Sequence, residues 1–522
     1  MEENFEFRNK NKQINENEMK NYIENSKLTL RKKKLNNLLL KKRLNNLEER
    51  LNKNNFLEID PNSIKINNEE KFILTSIQSQ KNKIIQFLTS QNLNYIKYSL
   101  FKILEFTINN EITKEEIFCA KEIKLYELLI MLLKFYKNSN IQILNTILWI
   151  LINFTTNNDE ININYSEIFI IEIKNETFSE FLFNVYENIV ENVFWFCRNL
   201  SLLSENFAYE IFHSNFMKNV INICFQKQLD ADLIFNILKF IINNINKFYL
   251  IEEFENSDYE KFKQISQIFF DKILFNNENL VNLCLIGFGE LSQIQNKKIS
   301  KIILNSGIVV RIIKKYTKFN KIYPQTHYKY SVNIISNLLG ENENITKDLI
   351  DLNTIEFFEI LFEKFENDFE IVEMIFIGFK NIVFSGKKFN DKIFNSILFK
   401  ENIINKYLKS NNETILITIC EIIEFLLKEK EQNFLFFLYN KRIIIDILLI
   451  ITEIKNQKIT NFFLELTNIY LSNFSLENKN QNEFIFIKER FYDILNFNEN
   501  IIKLTSSEKI NFFINNIKNN YN

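Results

Sequence analysis

The sequence predicts an all-α chain built of stacked helical repeats, on three observations. It has six Gly and two Pro in 522 residues, against ordinary usage of about 7% and 5%. Sandwiches, barrels and doubly wound sheets need more turn punctuation than that. The chain is also too long for one compact core of the usual size. Finally, one local pattern recurs: an apolar helix with Asn near its C-terminal half, a polar break, then a new helix. It appears as ILWILINFTTNND ending at Asp159, VFWFCRNLSLLSEN ending at Asn206, IISNLLGENEN ending at Asn344 and IFIGFKNIVFSGKK ending at Lys388. Trp149 and Trp195 lie 46 residues apart, and Asn337 and Asn381 lie 44 apart. An all-helical period in the forties points to armadillo or HEAT repeats, in which stacking supplies the core that no single repeat can form. It also houses 54 Phe without one giant globule.

Taken in order, residues 1–54 form a basic arm. They hold 14 Lys/Arg and 8 Asp/Glu, so the arm carries +6 of a chain whose net charge is −1, and the remainder carries −7. Within the arm, Leu28 to Leu44 reads LTLRKKKLNNLLLKKRL and contains no acid. Leu28, Leu35, Leu38, Leu39 and Leu44 sit near helical spacing with basic residues between them, as in an amphipathic basic helix. A solvated tail, a nucleic-acid contact and a membrane-surface contact are the other readings of such a composition. Residues 55–80, polar with Pro61, read as a linker. Residues 81–515 read as the repeat array and 516–522 as a tail. The net acidity of the array suits a basic ligand.

Catalysis has little support. His213 and His327 are the only histidines, are far apart, and have neither metal-ligand spacing nor a nucleophile motif beside them. The glycines make no phosphate loop. No cofactor and no metal are expected, and the chain reads as a non-enzyme. Cys119, Cys197, Cys224, Cys284 and Cys420 lie in apolar runs without a C-x-x-C pair, as free buried thiols of a reducing compartment do. The sequence opens with no signal peptide, and its uncharged run over 138–158 is interspersed with Asn, Gln, Ser and Thr, so no membrane span is expected.

The binding signal lies in the repeats. Trp149 and Asn153 are four apart, as are Trp195 and Asn199, and i and i+4 share a helix face. An Asn amide can hold the backbone of an extended peptide through both a donor and an acceptor. Paired Trp rings can wall the aliphatic stems of Lys or Arg, with cation–π attraction of ~0.5–2 kcal/mol. Two W-x-x-x-N motifs at equivalent points of successive repeats therefore read as exposed groove positions.

Two stretches also carry a family resemblance. FRNKNK at Phe7 to Lys12, Glu18–Met19, LRKKK at Leu30 to Lys34 and LKKR at Leu40 to Arg43 resemble the importin-β-binding segment of importin α. One departure is the run Lys20-Asn21-Tyr22-Ile23, where the family has an Arg cluster. WILIN and WFCRN resemble the W-x-x-x-N ladder of the family's second and third armadillo repeats, and FIFIKERFYDILNFNENI resembles its last repeat.

The resemblance implies a right-handed armadillo solenoid of about ten repeats that acts as a nuclear import adaptor shuttling between cytoplasm and nucleus. Trp149, Asn153, Asn192, Trp195 and Asn199 would form the major site for Lys/Arg-rich localisation signals. A degenerate minor site would use Asn333, Asn337 and Asn381, with Ile377 and Cys420 where aromatic walls would stand. The family's acidic position after Asn199 falls at Leu203, with Glu205 nearby. Arg31, Lys32, Lys34, Leu40, Lys41, Lys42 and Arg43 would bind importin β, and Lys41-Lys42-Arg43 would fold back as a cargo mimic that inhibits the groove. An exportin would recycle the protein. The next repeat, around Phe235 to Asn244, shows no Trp and no readily placed Asn. A structural armadillo scaffold without import cargo is the competing reading. Direct nucleic-acid binding by the arm is a third, and is not the one expected.

Overall fold

A computed structural model describes residues 59–428, apart from short internal stretches of which 157–168 is the longest, and a handful of positions beyond. The arm, the tail and most of the array after 428 lie outside the described residues. Among those described there is no strand, and no helix is long and apolar enough to cross a membrane. The chain divides into two units, Met1–Asn157 and Asn158–Asn522.

The first unit stacks α1 (Ile77–Leu88) and α2 (Leu93–Asn109) with α3 (Lys114–Glu122), α4 (Leu125–Tyr136) and α5 (Ile141–Thr156). The long helices α2 and α5 pack side by side. The segment read as linker over 55–80 is partly docked instead. Helix α1 already begins at Ile77, and Phe72 and Leu74 are buried while Ile73 between them is exposed. Extended backbone alternates its side chains, so two of three apolar residues turn inward. The Phe72 ring meets Phe87 at 5.7 Å and Tyr98 at 5.4 Å. The Tyr98 hydroxyl accepts from the Phe72 N–H at 3.1 Å and donates to its carbonyl at 2.9 Å.

The second unit runs α6 (Thr177–Phe181), α7 (Glu187–Leu203), α8 (Glu205–His213), α9 (Asn215–Gln226), α10 (Ala231–Ile245), α11 (Asn256–Lys272), α12 (Glu278–Gln293), α13 (Lys297–Asn305), α14 (Ile308–Tyr316), α15 (Gln325–Leu339), α16 (Glu343–Asp351), α17 (Thr354–Lys364), α18 (Phe369–Ser385), α19 (Asn390–Phe394), α20 (Ile403–Leu408) and α21 (Glu413–Lys428). Its long helices α7, α10, α12, α15, α18 and α21 stack in chain order, each against the next. Their companion helices, most of them shorter, lie between them in sequence and pack against them.

Asn and Asp supply the punctuation that Gly and Pro do not. Asp230, Asn277, Asn296, Asn342, Asp368 and Asn412 each accept backbone N–H bonds at the start of a helix, satisfying donors that a helix N-terminus leaves orphaned. In three repeats the joint between the first and second helix turns through a left-handed residue: Lys124, Gly307 and Asn353. Only one of these is Gly. The remaining cost, of order 1–2 kcal/mol for an L-residue, is borne by the packing on either side.

Two glycines sit inside long helices because a companion helix comes too close for a side chain. A Cβ on Gly287 would lie 2.5 Å from the Phe269 ring, and one on Gly378 would overlap the Phe358 ring. In the Gly287-Phe288-Gly289 run, Gly287 is thus fixed by packing. All five cysteines are free and buried, and burial pushes the Cys224 thiol up to about 12.

Candidate peptide-binding site on the long helices

The long helices begin at Leu93, Ile141, Glu187, Ala231, Glu278, Gln325, Phe369 and Glu413. This return of about 46 residues superposes Glu105, Asn153, Asn199, Asn243, Glu290, Asn337, Asn381 and Glu424, give or take one residue in α10 and α21. The candidate site in each unit is its own share of these positions, Glu105 and Asn153 in the first and Asn199 to Glu424 in the second.

In the first unit, Trp149 and Asn153 share a face of α5, as i and i+4 require. Both are buried, with Trp149 only 4% exposed. This corrects the expectation that the Trp ring stands open: its neighbours on the same face of α5, Asn145, Thr146 and Asn153, are themselves buried, so that face lies inside the stack. The Asn153 Nδ2 donates to Thr107 Oγ1 on α2 at 3.0 Å, and Thr107 Oγ1 donates to the Leu104 carbonyl at 2.9 Å.

In the second unit, Asn192 and Asn199 on α7 are buried and Trp195 between them is half-buried. The repeat whose Asn the sequence leaves unplaced resolves at α10. There Asn244 is buried, accepts from Ser201 Oγ at 3.2 Å and donates to the Phe240 carbonyl at 2.9 Å. On α15 and α18 the ladder is more open. Asn333, Asn337 and Asn381 are half-buried. Asn337 Nδ2 donates to Ser292 Oγ at 3.0 Å, and Asn381 Nδ2 donates to the Ser336 carbonyl at 2.7 Å. The structure therefore brings Asn337 and Asn381 together on adjacent helices.

The hydroxyl partners were not anticipated, though a signal for them is present. EFT at Glu105–Thr107, NFT at Asn153–Thr155, NLS at Asn199–Ser201 and ELS at Glu290–Ser292 place Ser or Thr two residues after the ladder position.

The face of α18 and α21 is mainly acidic, with Glu370, Glu373, Glu413, Glu421 and Glu424 against Lys380 and Lys428. Lys380 lies 2.9 Å from Glu421, and Lys428 lies 2.6 Å from Glu424. Lys329 on α15 pairs with Glu370. Aromatic walls are missing at Ile377 and Cys420, both buried. Further toward the C-terminal end, Phe384 and Phe425 meet across α18 and α21 at 4.9 Å, and Phe384 is exposed. Leu203 closes α7, and Glu205 stands exposed in the first turn of α8.

His213 sits 3.2 Å from Asp258 with its other ring nitrogen on the Tyr209 carbonyl. His327 is buried against Tyr316. Among the described residues, no three His, Cys, Asp or Glu side chains gather as a metal set. Arg31, Lys32, Lys34, Leu40, Lys41, Lys42 and Arg43 lie outside the described residues.

No known family profile matches this sequence, and no curated protein does. Solved structures do. An engineered protein, 12% identical, aligns over 84% of this chain and 98% of its own with a TM-score of 0.62. The fold is an all-α, armadillo-like solenoid. A designed armadillo repeat protein and a computationally designed one for modular peptide recognition, each 11% identical, align over 48% of this chain and 98% of their own, each with a TM-score of 0.40.

Proposed function

We propose that this chain is a nuclear import adaptor that binds Lys/Arg-rich localisation signals along its long helices and importin β through its N-terminal arm. The observation that carries the reading is the arm itself: LRKKK and LKKR, without an acid between Leu28 and Leu44, ahead of an acidic armadillo-like stack. On this reading Trp149, Asn153, Asn192, Trp195 and Asn199 receive the major basic cluster. Asn333, Asn337 and Asn381 receive a weaker second one. Lys41-Lys42-Arg43 competes with cargo until importin β removes it, a reciprocal coupling of two partners. An exportin returns the protein, and it shuttles between cytoplasm and nucleus.

The test is a titration of three proteins with a Lys-rich signal peptide: the full chain, the chain lacking residues 1–54, and Lys41→Ala with Lys42→Ala and Arg43→Ala. Both altered chains should bind more tightly than the full chain, and added importin β should raise affinity for the full chain only. Failure of the full chain to bind importin β would overturn the adaptor reading.

A second reading, an armadillo-like scaffold without import cargo, is favoured by one observation. Trp149 is buried, and the amide nitrogens of Asn153, Asn337 and Asn381 are engaged by the preceding repeat. Importin-β binding without signal-peptide binding, or neither, would favour that reading.

A further inference from the structure

His213 closes α8, and its half-buried ring stands between two hydrogen-bond acceptors. Nδ1 lies 2.8 Å from the Tyr209 carbonyl, and Nε2 lies 3.2 Å from the carboxyl of Asp258 on α11, 45 residues along the chain. A carbonyl has no proton to give, so Nδ1 must carry one for the first contact to be a hydrogen bond. In a neutral ring Nε2 would then be a bare lone pair aimed at a carboxylate. The other neutral tautomer repairs that contact and spoils the first. Only the imidazolium, a donor at both nitrogens, satisfies both.

The carboxyl side of the contact is an acceptor throughout. Asp258 is 2% exposed and closes the capping box of α11, taking the Glu255 N–H on Oδ2 at 3.1 Å. Among the described residues Oδ1 has no hydrogen-bond partner, and the groups that approach it are the His213 ring at 3.2 Å and the Lys261 ammonium at 3.5 Å. The ring's other neighbours are aromatic: Tyr209 stacks on it at 4.2 Å, with Phe212 at 5.5 Å and Phe248 at 6.4 Å. On α8 itself the carboxylates are Glu205 and Glu210. The helices packed against α8 carry Glu191 and Arg198 on α7, Lys218 on α9, and Asp232 and Lys239 on α10. None of these seven is in hydrogen-bond or ion-pair contact with the ring.

We infer that His213 is a proton-operated clasp: its imidazolium ties the end of α8 to the capping box that starts α11 in the next repeat, and loss of the proton releases that joint. With a neutral ring, one of the two contacts is lost and the buried Asp258 carboxylate keeps only Lys261 as a facing charge. The first turn of α11 then opens more readily, which exposes its amides to exchange with solvent. The clasp does not depend on what the long helices bind.

The test follows ring protonation and helix opening in the same full-length protein. The chain has two histidines, so isotopic labelling at histidine gives two sets of ring signals in an NMR spectrum, and His213→Gln assigns them. Amide hydrogen exchange is measured by mass spectrometry over a range of pH in the first turn of α11 and, as an internal reference, in α2. Protection of the α11 turn relative to α2 should fall on the order of tenfold as pH rises, the size of one charge-assisted hydrogen bond lost. That fall should share its midpoint with the His213 ring signal. His213→Gln should flatten the profile, because its amide donates to the carboxylate at every pH. Asp258→Asn should flatten it too, since it keeps an acceptor for the Glu255 N–H but carries no charge. Should His213→Gln fail to fold, Asp258→Asn assigns the ring signal by displacing that of His213. A purely structural histidine would leave the wild-type ratio constant across pH. That result, or a change whose midpoint differs from that of the ring signal, would overturn the inference.

Discussion

The Lys380 ammonium on α18 lies 2.9 Å from the Glu421 carboxylate on α21, and both side chains are about 15% exposed. The pair ties two successive long helices together one repeat apart. Exposed ion pairs contribute ~0–1 kcal/mol, whereas removing one partner of a buried pair costs ~3–5 kcal/mol. This pair lies between those limits. Lys380→Ala or Glu421→Ala alone should cost about 1–3 kcal/mol, and the double variant clearly less than the sum. Chemical denaturation of the four proteins of that cycle measures the coupling, and additive costs would mean that the two charges do not interact.

Gly378 should tolerate no side chain. Gly378→Ala drives a methyl into the Phe358 ring and against Ser336 Oγ, and overpacking of this kind costs ~1–3 kcal/mol. Gly378→Ala combined with Phe358→Leu should recover part of the loss. Gly289→Ala is the contrasting case, because its Cβ would sit 3.6 Å from Asn333 Nδ2 in ordinary contact. Melting temperatures of the set decide the matter, and equal losses at Gly378 and Gly289 would exclude a steric cause.

Trp149 and Trp195 should separate in their effects. Trp149 is buried, so Trp149→Ala should cost about 3–5 kcal/mol of stability, as for other buried large side chains. Trp195 is half-buried, and Trp195→Ala should cost less while weakening the binding of a Lys/Arg-rich peptide. Thermal unfolding and a peptide titration on both variants provide the comparison. Equal destabilisation would mean that Trp195 belongs to the core as well.

Glu341 should make stability depend on pH. It follows α15, where burial pushes its carboxyl up from 4.5 to about 7, against a smaller opposite pull from the Asn296 N–H. Between those values the folded chain retains a proton that the unfolded chain has released, so stability falls as pH rises through that window and levels off above it. His327 acts in the other sense, since burial and then Lys315 hold it below its ordinary value. Its contribution is present above pH 6.5 and is lost as the pH falls. Glu341→Gln leaves the histidine unchanged, so the melting temperature of the variant minus that of the wild type isolates the carboxylate. That difference should grow from about pH 4.5 to 7 and then hold steady. A flat difference would place the carboxyl in water.

The sequence by itself determined the class of fold and its period. The scarcity of Gly and Pro, and the apolar helices recurring in the forties, follow from backbone preference and side-chain spacing, which are local properties. It also marked Asn337 and Asn381 as equivalent, because their flanking apolar pattern is the same. Which atoms those residues use was decided only by the tertiary structure. Whether Trp149 faces solvent depends on how deeply α5 sinks between its neighbours. Whether an asparagine amide is free or held depends on a hydroxyl some 45 residues away, brought near by stacking. Phe72 shows the same division: its polar surroundings in sequence suggest a linker, and only the rings of Phe87 and Tyr98, supplied by the fold, give it somewhere to be buried.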